Sequence, residues 1–323
     1  MKLKSTVYAP ILFGVILFLA GTASVLSRLI ERVSVDVFLS SMVLQLVVFL
    51  LPLAFYCRVN GLNVVSALNF RQVSVRRIPF LINMALIFFV GTMIFRYLGL
   101  FLLDEAMVKT PDAIHFSARS ENDFLHFLGI VVLPALLEEA AFRGILLKAY
   151  SPYGSGWSVA ITTLMFSMVH LSLENFVYYL FMGVVLGVMT LASGSIAPAM
   201  AMHVLINAAH EYLRPAVVEY LRQAGKSLFL PYLLLAVFLL LFVFMFAGLE
   251  KIYRTKAFDE ILRSRKELLK KELEKSRAMQ EEEVVETRRQ AFYRVFREIC
   301  LSPTFLVCVA LFAFLVSDVL KRG

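Results

Sequence analysis

LPALLEEAAFRGILL, residues 133–147, is an apolar run broken by three charges in six positions, Glu138, Glu139 and Arg143. A charge at a bilayer centre costs roughly 2.5–3.5 kcal/mol on insertion scales, so such groups face a protein interior and mark function. Glu139 and Arg143 are i and i+4, which puts them on one helix face where they can pair. Glu138 lies about 100° away on the helix wheel and points elsewhere, unpaired by Arg143. Two carboxylates with one cation leave one acid suited to act as a general base. The alternative at this point is a helix-packing ion pair with a snorkelling arginine.

The surrounding chain makes the membrane reading the leading one. Of its 323 residues, 60% are hydrophobic and only 17% charged, and its mean hydropathy is +0.78. A soluble domain is nearer half apolar and a quarter charged. Hydropathy places spans at 8–26, 37–56, 80–103, 125–147, 157–171, 174–193, 196–213, 228–248 and 303–320, the segment 157–171 being short. The expected fold is all-α, a polytopic transmembrane helical bundle of about eight or nine spans. The net charge of +8 reads as cytoplasmic lysine and arginine beside anionic lipid, with no nucleic-acid partner implied. Lys2 and Lys4 put the N-terminus inside, and Arg58, Arg71, Arg76 and Arg77 put the second connection inside as well. Cys57, Cys300 and Cys308 are scattered and suggest neither a disulfide framework nor a zinc knuckle. The N-terminus would also fit a cleaved secretory signal, but the spans behind it make a retained first helix the simpler reading.

The expected division is N-terminal spans and loops over 1–124, a core over 125–213, a further span within 214–248, a charged segment over 249–300 and a last span over 301–323. The charged segment mixes both signs at i,i+4 spacing without Pro or Gly. It reads as a long cytoplasmic helix or helical hairpin, and could instead dock a protein partner.

Two further apolar segments carry polar groups at helical spacing. FSMVHL holds Phe166 and His170, and SIAPAMAMHVLINAAHE holds His203 and Asn207, both pairs at i,i+4. Pro198 kinks or starts the second of these helices, and Gly194 and Ser195 open a break ahead of it. Each polar group alone could be an interhelical hydrogen bond. Together, acid, imidazole and carboxamide converging on one cavity can activate a water and stabilise an oxyanion. The chain has no HExxH, GxSxG or GxGD motif. His115 and His126, in or beside an outer loop, read as ordinary residues. His210 and Glu211 read as a helix end reaching the interface, with an extended polar network as the alternative. Glu174 could share the face of His170.

EExxxR (Glu138, Glu139, Arg143), FxxxH (Phe166, His170) and HxxxN (His203, Asn207) resemble the three motifs of the CAAX protease and bacteriocin-processing (CPBP/Abi) family of intramembrane endopeptidases, which includes the type II CAAX prenyl endopeptidases. The resemblance covers residues 125–213. It implies an intramembrane protease in which Glu138, helped by His170, activates the attacking water. His203 and Asn207 would polarise the scissile carbonyl and steady its oxyanion, with Glu139 and Arg143 orienting the site. Both a metalloprotease and a metal-free glutamate enzyme remain open: Glu138, His170 and His203 could supply a His₂Glu set for a divalent metal such as zinc. The implied substrate is a peptide or membrane protein. If the chain is bacterial, it would sit in the inner (plasma) membrane, and a peptide precursor or membrane protein is expected there ahead of a prenylated CAAX protein. A transporter would require matched, broken half-repeats that the chain lacks. A non-catalytic scaffold or bacteriocin-immunity-type protein would leave the complete motif set unexplained.

Overall fold

The computed structural model describes residues 2–30, 37–63, 68–102, 122–173, 175–213, 223, 229–253 and 288–322. Among these, regular structure is entirely helical. The helices are α1 (Lys2–Ile30), α2 (Val37–Gln45), α3 (Leu51–Val59), α4 (Ile78–Leu102), α5 (Asp123–His126), α6 (Leu133–Glu139), α7 (Leu147–Tyr150), α8 (Ser155–Val169), α9 (Phe176–Ser193), α10 (Ala197–Ala208), α11 (Phe229–Tyr253), α12 (Arg288–Cys300) and α13 (Pro303–Arg322). His115, Glu174 and most of the charged segment, 254–287, lie outside the described residues.

At least three stretches, Phe38–Val59, Val75–Ile94 and Phe176–Ser193, are long and apolar enough to cross a membrane. The protein is therefore an integral membrane protein. The pair α12–α13 bends by 59° between Cys300 and Pro303. α8, the short segment of the hydropathy reading, has 15 residues. At 1.5 Å per residue it reaches about 22 Å, short of a hydrocarbon core of about 30 Å.

Among the described residues, four π-helical turns interrupt the bundle: Leu46–Leu50, Phe127–Val132, Ala140–Leu146 and Ala209–Leu213. Two of them bracket α6, which carries both glutamates. Such turns widen the helix by one residue and free carbonyls that need outside donors. Pro134 adds to this, because it has no N–H to give the preceding turn. Gln45, buried on α2, donates its Nε2 to the Gly129 carbonyl at 3.3 Å, and Asn207 donates to the Val131 carbonyl at 3.2 Å. Polar side chains in apolar helices thus complete a backbone ladder that sequence has broken.

Pro198 sits in the first turn of α10, where its missing N–H has no helical partner to lose, so it starts that helix. Gly194, at φ +69°, ends α9 in the left-handed conformation, its N–H reaching Thr190 O at 2.9 Å. The connection before α4 straps this corner. Asn69 Nδ2 donates to Gly194 O at 3.1 Å, Arg71 N to Ser195 Oγ at 3.1 Å, and Arg77 to Ser193 O. A cation at the carbonyl end of α9 is also favoured by the helix dipole.

α8 and α9 approach closely because Gly183 and Gly187 present no side chain to Thr163 and Val159. A Cβ at Gly183 would lie 2.8 Å from Thr163 Cγ2 and 3.1 Å from its Cα, so backbone must move. Gly183→Ala is expected to destabilise by about 1–3 kcal/mol. It should also lower activity, because the Gly183 carbonyl anchors Arg143. Thermal unfolding in mild detergent checks this, and a variant as stable as wild type would refute the close-packing account.

Candidate active site

α6, α8 and α10 each deliver one motif to a common point. On α6, the predicted division of the charges is present. Glu139 Oε1 accepts from Arg143 Nη1 at 2.8 Å, and both side chains are within 1% of full burial. Arg143 Nη2 donates to the Gly183 carbonyl at 3.3 Å, and its guanidinium carbon lies 4.3 Å from the Phe166 ring centroid. An arginine with two acceptors and an aromatic face is well compensated for leaving water. The ion pair survives the π-turn at Ala140–Leu146 that follows Glu139.

Glu138 lies outside the Glu139–Arg143 pair and reaches toward the two histidines. Its Oε2 lies 4.0 Å from His170 Nε2 and 3.9 Å from His203 Nε2. His203 Nδ1 meets Glu139 Oε1 at 2.9 Å, so one imidazole stands between the two glutamates. The Glu139 oxygen that accepts from Arg143 is also the acceptor here, with the His203 Nδ1–H as donor. His203 Nε2 is thereby turned toward Glu138. Asn207, one turn on, is held by its bond to Val131 O, and Nδ2 carries a second hydrogen available for donation.

His170 caps α8 at its C-terminus. The next residue, Leu171, takes φ +53°, uncommon for a bulky side chain, and is held there by burial. Phe166 forms the aromatic wall of the cluster, edge-on to His170 at 4.8 Å, to His203 at 5.9 Å and to Phe142 at 5.3 Å. Tyr179 of α9 closes the other side of His170, with ring centroids 3.6 Å apart. Neither Tyr179 nor Gly183 was legible in the motifs, since both act through packing between helices.

His126, expected to be ordinary, is buried, stacks on Phe38 at 6.1 Å and meets Glu211 Oε1 at 3.0 Å. Glu211 is therefore a tie between the π-turn after α10 and the end of α5, not merely a helix end. The bond spans 85 residues of sequence, and nothing local announces it.

The His₂Glu set can be tested for metal on its spacing. Tetrahedral zinc with bonds of 2.0–2.2 Å holds donor atoms about 3.4 Å apart. The Glu138 to histidine separations of 3.9 and 4.0 Å are wider, and among the described residues no group of three His, Cys, Asp or Glu is disposed to hold a metal ion. A water making bonds of about 2.8 Å to both partners spans such a gap with an angle near about 90°. The spacing leaves room for a hydrogen-bonded water between the Glu138 carboxylate and either imidazole.

Two glutamates, an arginine and two histidines thus meet inside apolar helices of an integral membrane protein. Residues 120–209 match the family described as Type II CAAX prenyl endopeptidase Rce1-like. Over this segment the chain is similar to the CAAX proteases, and CAAX-type intramembrane proteolysis is the activity that the likeness suggests. No curated protein and no solved structure matches the chain.

Proposed function

We propose that the protein is a metal-free endopeptidase that hydrolyses a peptide bond in or near the bilayer, using Glu138 as general base. What carries the reading is the approach of one Glu138 oxygen to the Nε2 atoms of both histidines, at 3.9 and 4.0 Å. Glu138 and His170 hold a water between them. As that water attacks the scissile carbonyl carbon, its proton passes to Glu138. The developing oxyanion is met by His203 Nε2–H and the second Asn207 N–H. His203 carries that hydrogen when doubly protonated, a state that brings the charges of Glu138, Glu139, Arg143 and His203 to zero. The carbon–nitrogen bond then breaks, and Glu138 returns the proton to the leaving amine. Glu139 and Arg143 fix the orientation of His203 and touch no substrate.

The substrate is a peptide or membrane protein, and the surrounding fold is a bundle of about eight or nine spans with a long charged cytoplasmic helix before the last one. In a bacterial cell it would sit in the plasma membrane. The test uses the purified full-length protein on farnesylated and unmodified peptides ending in a CAAX sequence, and on an internally quenched apolar peptide. His170→Ala is expected to lower kcat/KM by about 10²-fold or more. Chelator is expected to leave wild-type cleavage unchanged. Cleavage abolished by chelator and restored by zinc would overturn the metal-free mechanism.

A further inference from the structure

α12 is unlike every other helix described. Its sequence, RRQAFYRVFREIC, has four arginines against one glutamate and is the one that leads through the 59° bend into α13. Val295 and Ile299 face the bundle, 8% and 1% exposed. At about 100° per residue, these two lie within one narrow sector of the wheel. Phe292, Phe296 and Tyr293 extend the apolar arc well to one side of that sector. They are 52%, 40% and 55% exposed. Arg297, Arg294 and Glu298 occupy the remaining arc, where Arg294 pairs with Glu298 at 3.6 Å. The apolar arc, about 160° wide, thus extends well beyond the sector of about 40° that the protein buries.

We infer that α12 lies along the membrane surface, with Phe292, Phe296 and Tyr293 in the acyl boundary and Arg294 and Arg297 on anionic lipid headgroups. Three observations converge on this one occupant. The helix leads through the 59° bend into the apolar α13, expected from hydropathy to be the last span, which sets α12 beside the bilayer boundary. Its uncovered apolar flank is aromatic, the side-chain type that partitions to the interface. Its polar arc is net basic, complementary to the phosphates of an anionic leaflet. The surface contact also reaches the catalytic layer. Phe292 packs on Trp157 at 5.2 Å, and Trp157 belongs to α8, the helix that ends in His170.

Hydrogen exchange of the full-length protein in lipid nanodiscs tests the inference. Amides over 292–300 are expected to exchange up to about thirtyfold more slowly in discs containing phosphatidylglycerol than in phosphatidylcholine alone, the effect of two arginines at about 1 kcal/mol each. Arg294→Gln/Arg297→Gln should abolish most of that difference. Raising the salt on wild type should do the same without any substitution. Trp157, the only tryptophan in the chain, gives a second readout. Brominated phosphatidylcholine should quench it in wild type and less in Phe292→Ser. Equal exchange in both disc types, or a lipid effect untouched by both the substitutions and salt, would overturn the inference. So would a helix protected only after a second protein is added. None of these results depends on whether the chain cleaves peptides.

Discussion

Glu138→Gln is expected to lower kcat/KM by about 10²–10⁴-fold, the share of a rate that a positioned base supplies. That is about 2.7–5.5 kcal/mol of transition-state stabilisation. Glutamine keeps the shape and the hydrogen-bonding reach of the side chain but has no basic oxygen to take a proton from water. KM and unfolding temperature should therefore stay near wild type, since Glu138 is not part of the Glu139–Arg143 pair. Steady-state cleavage in detergent and in nanodiscs measures the effect, with thermal unfolding as the control. Wild-type cleavage by Glu138→Gln would remove Glu138 from the base role, and Glu139 would then have to be reconsidered.

The second large effect is on stability. Arg143→Met leaves the Glu139 carboxylate buried without its cation and should cost about 3–5 kcal/mol. It also removes the guanidinium from the Phe166 face, worth about 0.5–2 kcal/mol. The double variant Glu139→Gln/Arg143→Met should be more stable than Arg143→Met alone, because no uncompensated charge is left. It will not reach wild type, since the charged contact from Glu139 to His203 Nδ1 is lost with it. Thermal unfolding of the four proteins in the same detergent forms a double-mutant cycle. A double variant no more stable than Arg143→Met would mean that the pair is not the unit described here.

Several features of this site could be read from residue order because their physics is local. An i,i+4 pair such as Glu139 and Arg143 is set by helix geometry alone, and the structure holds it at 2.8 Å. The same geometry separates Glu138 from that pair. Membrane character was legible because a bilayer demands long apolar stretches wherever they fall in the chain. Pro198 and Gly194 announced a helix start and a helix end through backbone constraints that need no neighbours.

Other features depend on how helices meet, and hydropathy has no term for that. The π-turns on either side of α6 each add a residue without altering the apolar pattern, so the phase of the downstream face is hidden. His203 lies between two glutamates 64 and 65 residues earlier only because α10 packs against α6 in one register. Asn207 on Val131, Tyr179 on His170 and His126 on Glu211 are likewise products of interhelical packing. Sequence alone therefore determined which polar residues interrupt the apolar helices and that Glu139 and Arg143 share one helix face. Tertiary structure decided which atoms meet, because a hydrogen bond needs placement to a few tenths of an ångström, and only packed side chains supply that.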